Sequence, residues 1–169
     1  MIGKEIRLAR LFTSKSKRFV LVTLDHGICI KPMKGLEDTK RVVKVAIDGG
    51  ADAVLVTPGI AKNVYKEMAG NIPFMLRIDG TATSVGPDLT NDHLISSVEQ
   101  ALRFGADAVA TFGVIGVPRE AELIEKNGKV SELCELWGMP LMIEMIPPDI
   151  LTHQFETKAE REWPKDPEI

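Results

Sequence analysis

The sequence predicts an α/β protein, a parallel (β/α) barrel of the TIM type carried through about five of its eight strands, with residues 1–169 forming a single partial domain. Three observations lead there. Short apolar segments alternate with helical patterns along the chain. An internal echo, Gly50-Ala51-Asp52-Ala53-Val54 and Gly105-Ala106-Asp107-Ala108-Val109, repeats the step from helix to strand. The last residues, Asp166-Pro167-Glu168-Ile169, read as the start of another helix: a capping carboxylate, proline at the first helical position, then an acid near the positive helix end.

Taken in order, a short helix at residues 4–11 precedes the first strand at 19–24, which is apolar except for Thr23. Val42, Val43, Val45, Ala46 and Ile47 fall at near-helical spacing within 36–48. Gly50 follows, where a helix ends most easily in the left-handed conformation. The second strand, 53–57, is short and partly β-branched, and a helix separates it from the third, 74–78, which carries Arg77 inside it. Ile95, Val98, Ala101 and Leu102 predict a helix over 94–104, closed by Gly105 and followed by the fourth strand at 108–113. A helix over 120–137, the connection Gly138-Met139-Pro140 and a fifth strand at 141–146 complete the pattern.

Such alternation with largely apolar strands implies a parallel sheet covered by helices. Two architectures fit: a doubly wound sheet, complete with about five strands, and a barrel, which needs eight and about 250 residues. The helix announced at 166–169 favours an unfinished barrel. An unclosed ring leaves sheet edges and an apolar inner face. About ten inward side chains at roughly 1.5–3 kcal/mol each would forgo roughly 15–30 kcal/mol if wetted, more than the usual margin of about 5–15 kcal/mol. The expectation is therefore a longer polypeptide or self-association as a homo-oligomer.

Composition narrows the function. At 44% apolar and 27% charged residues, with a net charge of −3, the chain offers a core and gives no electrostatic reason to expect nucleic acid or a membrane surface. The only basic cluster is Lys15-Ser16-Lys17-Arg18. No apolar run approaches the roughly 18 residues of a membrane span. Cys29 and Cys134 cannot form a framework of bridges, so a cytoplasmic setting is expected. No HExxH, CxxC, GxGxxG or GxSxG pattern occurs, so neither metal nor cofactor is expected and dinucleotide and serine-hydrolase readings lose ground.

In either architecture function gathers at the carboxyl ends of the strands. Asp25 ends the first strand on the face of Thr23, and a carboxylate there must meet water, a partner or a ligand; a helix cap or structural ion pair is the plainer alternative. His26 points the other way and reads on spacing as a loop hydrogen-bonder. Asp79, before Gly80 and Thr81, serves equally as a rim or a turn residue. Glu144 is an acid inside Leu141-Met142-Ile143-Glu144-Met145-Ile146. Facing inward it needs a partner such as Arg77, either as a structural pair or as a proton-transfer group. Lys31 and Lys34 are anion-binding candidates or solvated lysines; Cys29 reads as inert, and Tyr65 as surface or helix packing.

Val22-Thr23-Leu24-Asp25-His26-Gly27, followed by Gly35-Leu36-Glu37-Asp38, resembles the first strand and loop of the archaeal-type class I fructose-bisphosphate aldolase and 2-amino-3,7-dideoxy-heptulosonate synthase family. The likeness continues through Gly80-Thr81-Ala82, Ala101 to Val109, and Cys134-Glu135-Leu136-Trp137-Gly138-Met139-Pro140-Leu141. It implies Schiff-base chemistry on carbon–carbon bonds of phosphorylated sugars or keto compounds, in which a lysine amine attacks a ketone and the iminium takes up electrons. Asp25 inherits the role of positioning substrate and moving protons. His26 is placed near the substrate, as are Arg77, Asp79 and Thr81. The Schiff-base lysine is expected on a sixth strand beyond residue 169, so this chain alone is expected to be inactive. At the position of the family's acid–base tyrosine stands Ile146, which cannot transfer a proton; Glu144, two residues earlier on the same face, is the candidate substitute. The rival is a degenerate, non-catalytic barrel relative that binds a ligand or partner.

Overall fold

The segments that read as buried strands pair side by side in chain order. The computed structural model describes residues 1–13, 18–28, 33–82 and 88–147. Lys15, Lys17, Cys29, Lys31 and the helix start at 166–169 lie outside these residues. Strands β1 (Leu21–Thr23), β2 (Ala53–Val56), β3 (Phe74–Arg77), β6 (Ala108–Val114) and β7 (Leu141–Ile146) form one sheet in that order, every pairing parallel. A doubly wound sheet reverses its order at a switch point; this one does not, and it is the unfinished barrel the sequence predicts. Two further strands, β4 (Asp79–Gly80) and β5 (His93–Leu94), pair antiparallel beyond the end of β3. The sequence pattern had put Leu94 in a helix.

The helices begin where side chains satisfy their first free N–H groups. Asp38 caps α2 (Thr39–Asp48) by accepting from Arg41 N at 3.1 Å. Thr57 caps α3 (Pro58–Met68) through Ile60 N at 3.2 Å. Ser97 caps α4 (Val98–Phe104) through Gln100 N at 3.1 Å, so this helix starts later than its apolar pattern suggests. Helix α5 (Glu120–Trp137) keeps its predicted bounds.

The internal echo has a geometric meaning. Gly50 and Gly105 both take φ of +79° after their helices, as the turn requires. The aspartates that follow stitch each strand to the one before it. Asp52 Oδ2 accepts from Val20 N at 2.8 Å, and Asp107 Oδ2 from Phe74 N at 3.3 Å. Each also donates its own N–H to the same residue's carbonyl, both at 2.9 Å.

Strand alternation sorts the core into two faces. Val54, Val56, Leu76 and Val109 face the helices, packing with Val43, Val64, Val98, Val130 and Met139. The opposite face, the inside of a barrel, carries Ala53, Leu55, Met75, Ala108 and Ala110. These are buried beneath Leu11, the last residue of α1 (Ile2–Leu11), with Phe19, Leu21 and Met142 packed against them. The wetted inner surface expected of an open ring is therefore much reduced. Helix α1 is tied down by Lys4–Glu135, Arg7 to the Gly138 carbonyl and Arg10–Asp107. Exposed apolar side chains remain on the edge strand β7, where Met145 is 52% exposed. Among the described residues no helix is long and apolar enough to cross a membrane.

Candidate active site

Polar residues take over the inner face at the carboxyl ends of the strands, directly above the apolar layer. Arg77 is two residues beyond Met75 and shares its face. Its side chain is fully buried, which for a guanidinium demands several partners. It has them. Nε donates to Asp25 Oδ2 at 2.7 Å, Nη2 donates to Glu144 Oε2 at 2.5 Å, and Nη1 lies 3.7 Å from Asp79 Oδ1. The guanidinium also stacks on Phe112, 3.7 Å from the ring centroid. Burial by itself lowers the Arg77 pKa, but attraction from Asp25 and then Asp79 outweighs it and holds the group above its ordinary value. Arg77 is a permanent cation that fixes two carboxylates from strands at opposite sides of the sheet.

Those carboxylates differ in access. The Asp25 side chain is 8% exposed, whereas that of Glu144 is 46% exposed and opens to the mouth. Asp79 lies beneath, held by Phe112 N donating to its Oδ2 at 2.6 Å.

His26 opens a short 3-10 turn, His26–Ile28, immediately past Asp25 and is half-buried. That turn packs on β4: a Cβ at Gly80 would come within 2.8 Å of Ile28 Cγ2, so glycine is what lets the two strand ends meet. The Thr81 hydroxyl donates to the Ala82 carbonyl at 3.0 Å and does not reach the Arg77 cluster. Lys34 and Tyr65 are exposed. Cys134 is buried in the outer core, where desolvation pushes its thiol up to about 11. Among the described residues there is no group of three or more His, Cys, Asp or Glu placed to hold a metal ion.

Three residues that sequence reasoning passed over complete the cluster. Lys126 of α5 donates to Asp79 Oδ2 at 2.5 Å, to Asp92 Oδ1 and to the Phe112 carbonyl at 3.1 Å. Asn127 donates to the same carbonyl at 3.0 Å and accepts from the Thr111 hydroxyl at 2.7 Å. Phe112 is thus anchored on both sides of its peptide, with its ring under Arg77. One signal was available: Lys126 and Asn127 are polar residues beside the buried helical stripe of Leu123, Val130 and Cys134. A cavity of about 640 Å³ opens at the opposite end of the sheet, among Arg10, Tyr65, Asn71, Phe104 and Asp107. It sits at the amino ends of β3 and β6, the end that in barrels serves stability.

The chain and its fold match known proteins. Residues 19–160 match the DeoC/LacD family aldolases. Over 148 residues the chain is 42% identical to 2-amino-3,7-dideoxy-D-threo-hept-6-ulosonate synthase 1 of Archaeoglobus fulgidus, covering 87% of this chain and 55% of that protein. It is 34% identical over 140 residues to 3-hydroxy-5-phosphonooxypentane-2,4-dione thiolase of Yersinia pseudotuberculosis, covering 83% and 47%. Among solved structures it superposes on a Schiff-base-forming fructose-1,6-bisphosphate aldolase with a TM-score of 0.75 and 26% identity, over 86% of this chain and 58% of that one. An archaeal fructose 1,6-bisphosphate aldolase gives 0.72 and 25%, over 83% and 56%. The chain spans about half the length of the curated relatives it matches.

Proposed function

The chain belongs to the DeoC/LacD family of aldolases, and from that premise we propose that it supplies the first five strands of a Schiff-base aldolase acting on carbon–carbon bonds of phosphorylated sugars or keto compounds. The observation that carries this reading is the Arg77 clamp, which brings Asp25 and Glu144 together at the strand ends of the inner face. The electron-accepting amine belongs to a sixth strand outside these 169 residues. There it adds to the substrate carbonyl, and loss of water leaves an iminium into which the electrons of the breaking carbon–carbon bond flow.

In this scheme Asp25, held by Arg77 and nearly sealed from solvent, positions the substrate hydroxyl and moves its proton. Glu144, half-exposed with Oε1 not committed to Arg77, accepts and returns a proton at the mouth, where Ile146 cannot. His26 lines the substrate near Asp25. The exposed side chains of β7 are the surface that further strands or a second copy cover. The same substitution at Ile146 is what favours the second reading, a barrel relative that binds without turnover.

Aldol cleavage kinetics, measured on this chain completed to a closed barrel by the missing strands, test the assignment. Asp25→Asn and Glu144→Gln are each expected to lower kcat by roughly 10²–10⁴-fold, the usual worth of a positioned acid or base. Full activity in Glu144→Gln removes it from proton transfer, and full activity in both variants removes the proposed site.

A further inference from the structure

The cluster behind Arg77 contains more carboxyls than its cations can neutralise. Among the described residues, the ion pairs of Asp25, Asp79, Asp92 and Glu144 run to two cations, Arg77 and Lys126. Asp79 and Asp92 are 0% and 4% exposed. Both rest on one ammonium, Lys126 Nζ. Each has one buried oxygen that receives no hydrogen bond, Asp79 Oδ1 and Asp92 Oδ2. Two carboxylates packed on one ammonium repel each other when both are ionised, and one retained proton removes that repulsion. Asp79 Oδ2 is already taken by Lys126 and Phe112 N, which leaves Asp92 as the group that carries the proton.

We propose that Asp92 and Lys126 are positioning residues for the strand-end site: Asp92 donates a retained proton to Asp79, Lys126 clamps both carboxyls, and Arg77 is left to orient Asp25 and Glu144. This rests on the aldolase reading above. Asp79 is the hinge, because it stands between the two cations, 3.7 Å from Arg77 Nη1 and 2.5 Å from Lys126 Nζ. While Asp79 shares the Asp92 proton, its pull on Arg77 is weakened. When Asp92 ionises, the extra negative charge draws Arg77 Nη1 toward Asp79 and away from its two outer partners. Burial first, and the Asp79 charge second, place that ionisation at about 7.

Among the described residues, the charged groups around Asp92 are Lys126 from α5, Asp79 from β4, and Arg77 of β3 behind Asp79. Asp25 and Glu144 lie beyond Arg77. His93, next along β5, is exposed and bonds Asn91 Oδ1 at 2.8 Å.

The test has two arms. Carboxyl ¹³C NMR of the full chain follows each aspartate with pH, Asp92 being assigned by the resonance that Asp92→Asn removes. A midpoint near 7 for Asp92 is expected, and an ordinary one near 4 overturns the shared proton. In the aldol assay, run on this chain completed to a closed barrel by the missing strands, kcat is expected to fall about tenfold as pH rises from 6 to 8 with KM little changed, one proton lost giving about one decade per pH unit at most. Asp92→Ala is expected to lose kcat across the range. Asp92→Asn, whose amide still donates to Asp79, is expected to restore most of it and to remove the alkaline limb. If Asn and Ala behave alike and both keep the limb, Asp92 is merely structural. If Asp92 titrates near 7 but the completed barrel forms no imine and shows no turnover, the aldolase reading fails while the shared proton stands.

Discussion

Replacing Arg77 with methionine removes a cation that Asp25, Asp79 and Glu144 share, in a side chain that is fully buried. Removing one partner of a buried ion pair costs about 3–5 kcal/mol, because the other is left charged and unpaired. Asp25 and Asp79, both nearly sealed from solvent, carry that cost. The Glu144 end is 46% exposed, so water screens it and it adds little. Methionine keeps apolar contact with Phe112 but loses the cation–π term, worth about 0.5–2 kcal/mol. The net expectation is a loss of about 3–5 kcal/mol at pH 7, about a fifth or more of an ordinary margin, read by urea unfolding. Asp25→Asn in the same chain should recover part of it, and so should acid, which neutralises the stranded carboxyls. A loss under about 1 kcal/mol, or one that is the same at pH 4 as at pH 7, would refute the view that Arg77 neutralises this cluster.

Other consequences are simpler to read. Asp107→Ala leaves the buried Phe74 N–H without its carboxylate and should cost about 1–3 kcal/mol in thermal or urea unfolding, the half-exposed Arg10 contributing little. Asp92 is raised to about 7 by burial and by Asp79, so the folded state binds its proton more tightly than the unfolded chain. Its contribution is fully present below about pH 4, is lost as pH rises to about 7 and is flat above, a slope on the order of a few kcal/mol that Asp92→Asn should abolish. Cys134, with its thiol pushed up to about 11 by desolvation, should resist alkylation at pH 8 in the folded protein and react on denaturation, as peptide mass mapping would record.

How much of this was legible in the sequence follows from the range of each interaction. Local signals placed the elements: Gly105 closes α4, and the Gly138-Met139-Pro140 connection closes α5 after Trp137. Apolar runs located all five strands of the sheet. The first strand was read too long because Phe19 is apolar for a different reason, packing with Leu11 under the inner face. Leu94 was drawn into a helix by its neighbours, although Ser97 fixes the true start and the antiparallel pairing of Asp79 with Leu94 claims the residue first. The Arg77–Glu144 pair could be anticipated, since each is a charge inside an apolar strand. Lys126 and Asp92 could not be paired this way, because their contact spans 34 residues and joins a helix to a hairpin with no periodic signal.

The account stands on the inner-face cluster being one part of an imine-forming site. Its most direct test joins this chain to the part of the Archaeoglobus relative that the match leaves uncovered, treats the fusion with borohydride and a phosphorylated ketose, and measures the mass. The expected product carries one reduced ketose on the lysine of the sixth strand, and adduct formation is strongly reduced by Asp25→Asn. A fusion that folds as a closed barrel yet takes up no adduct contradicts it.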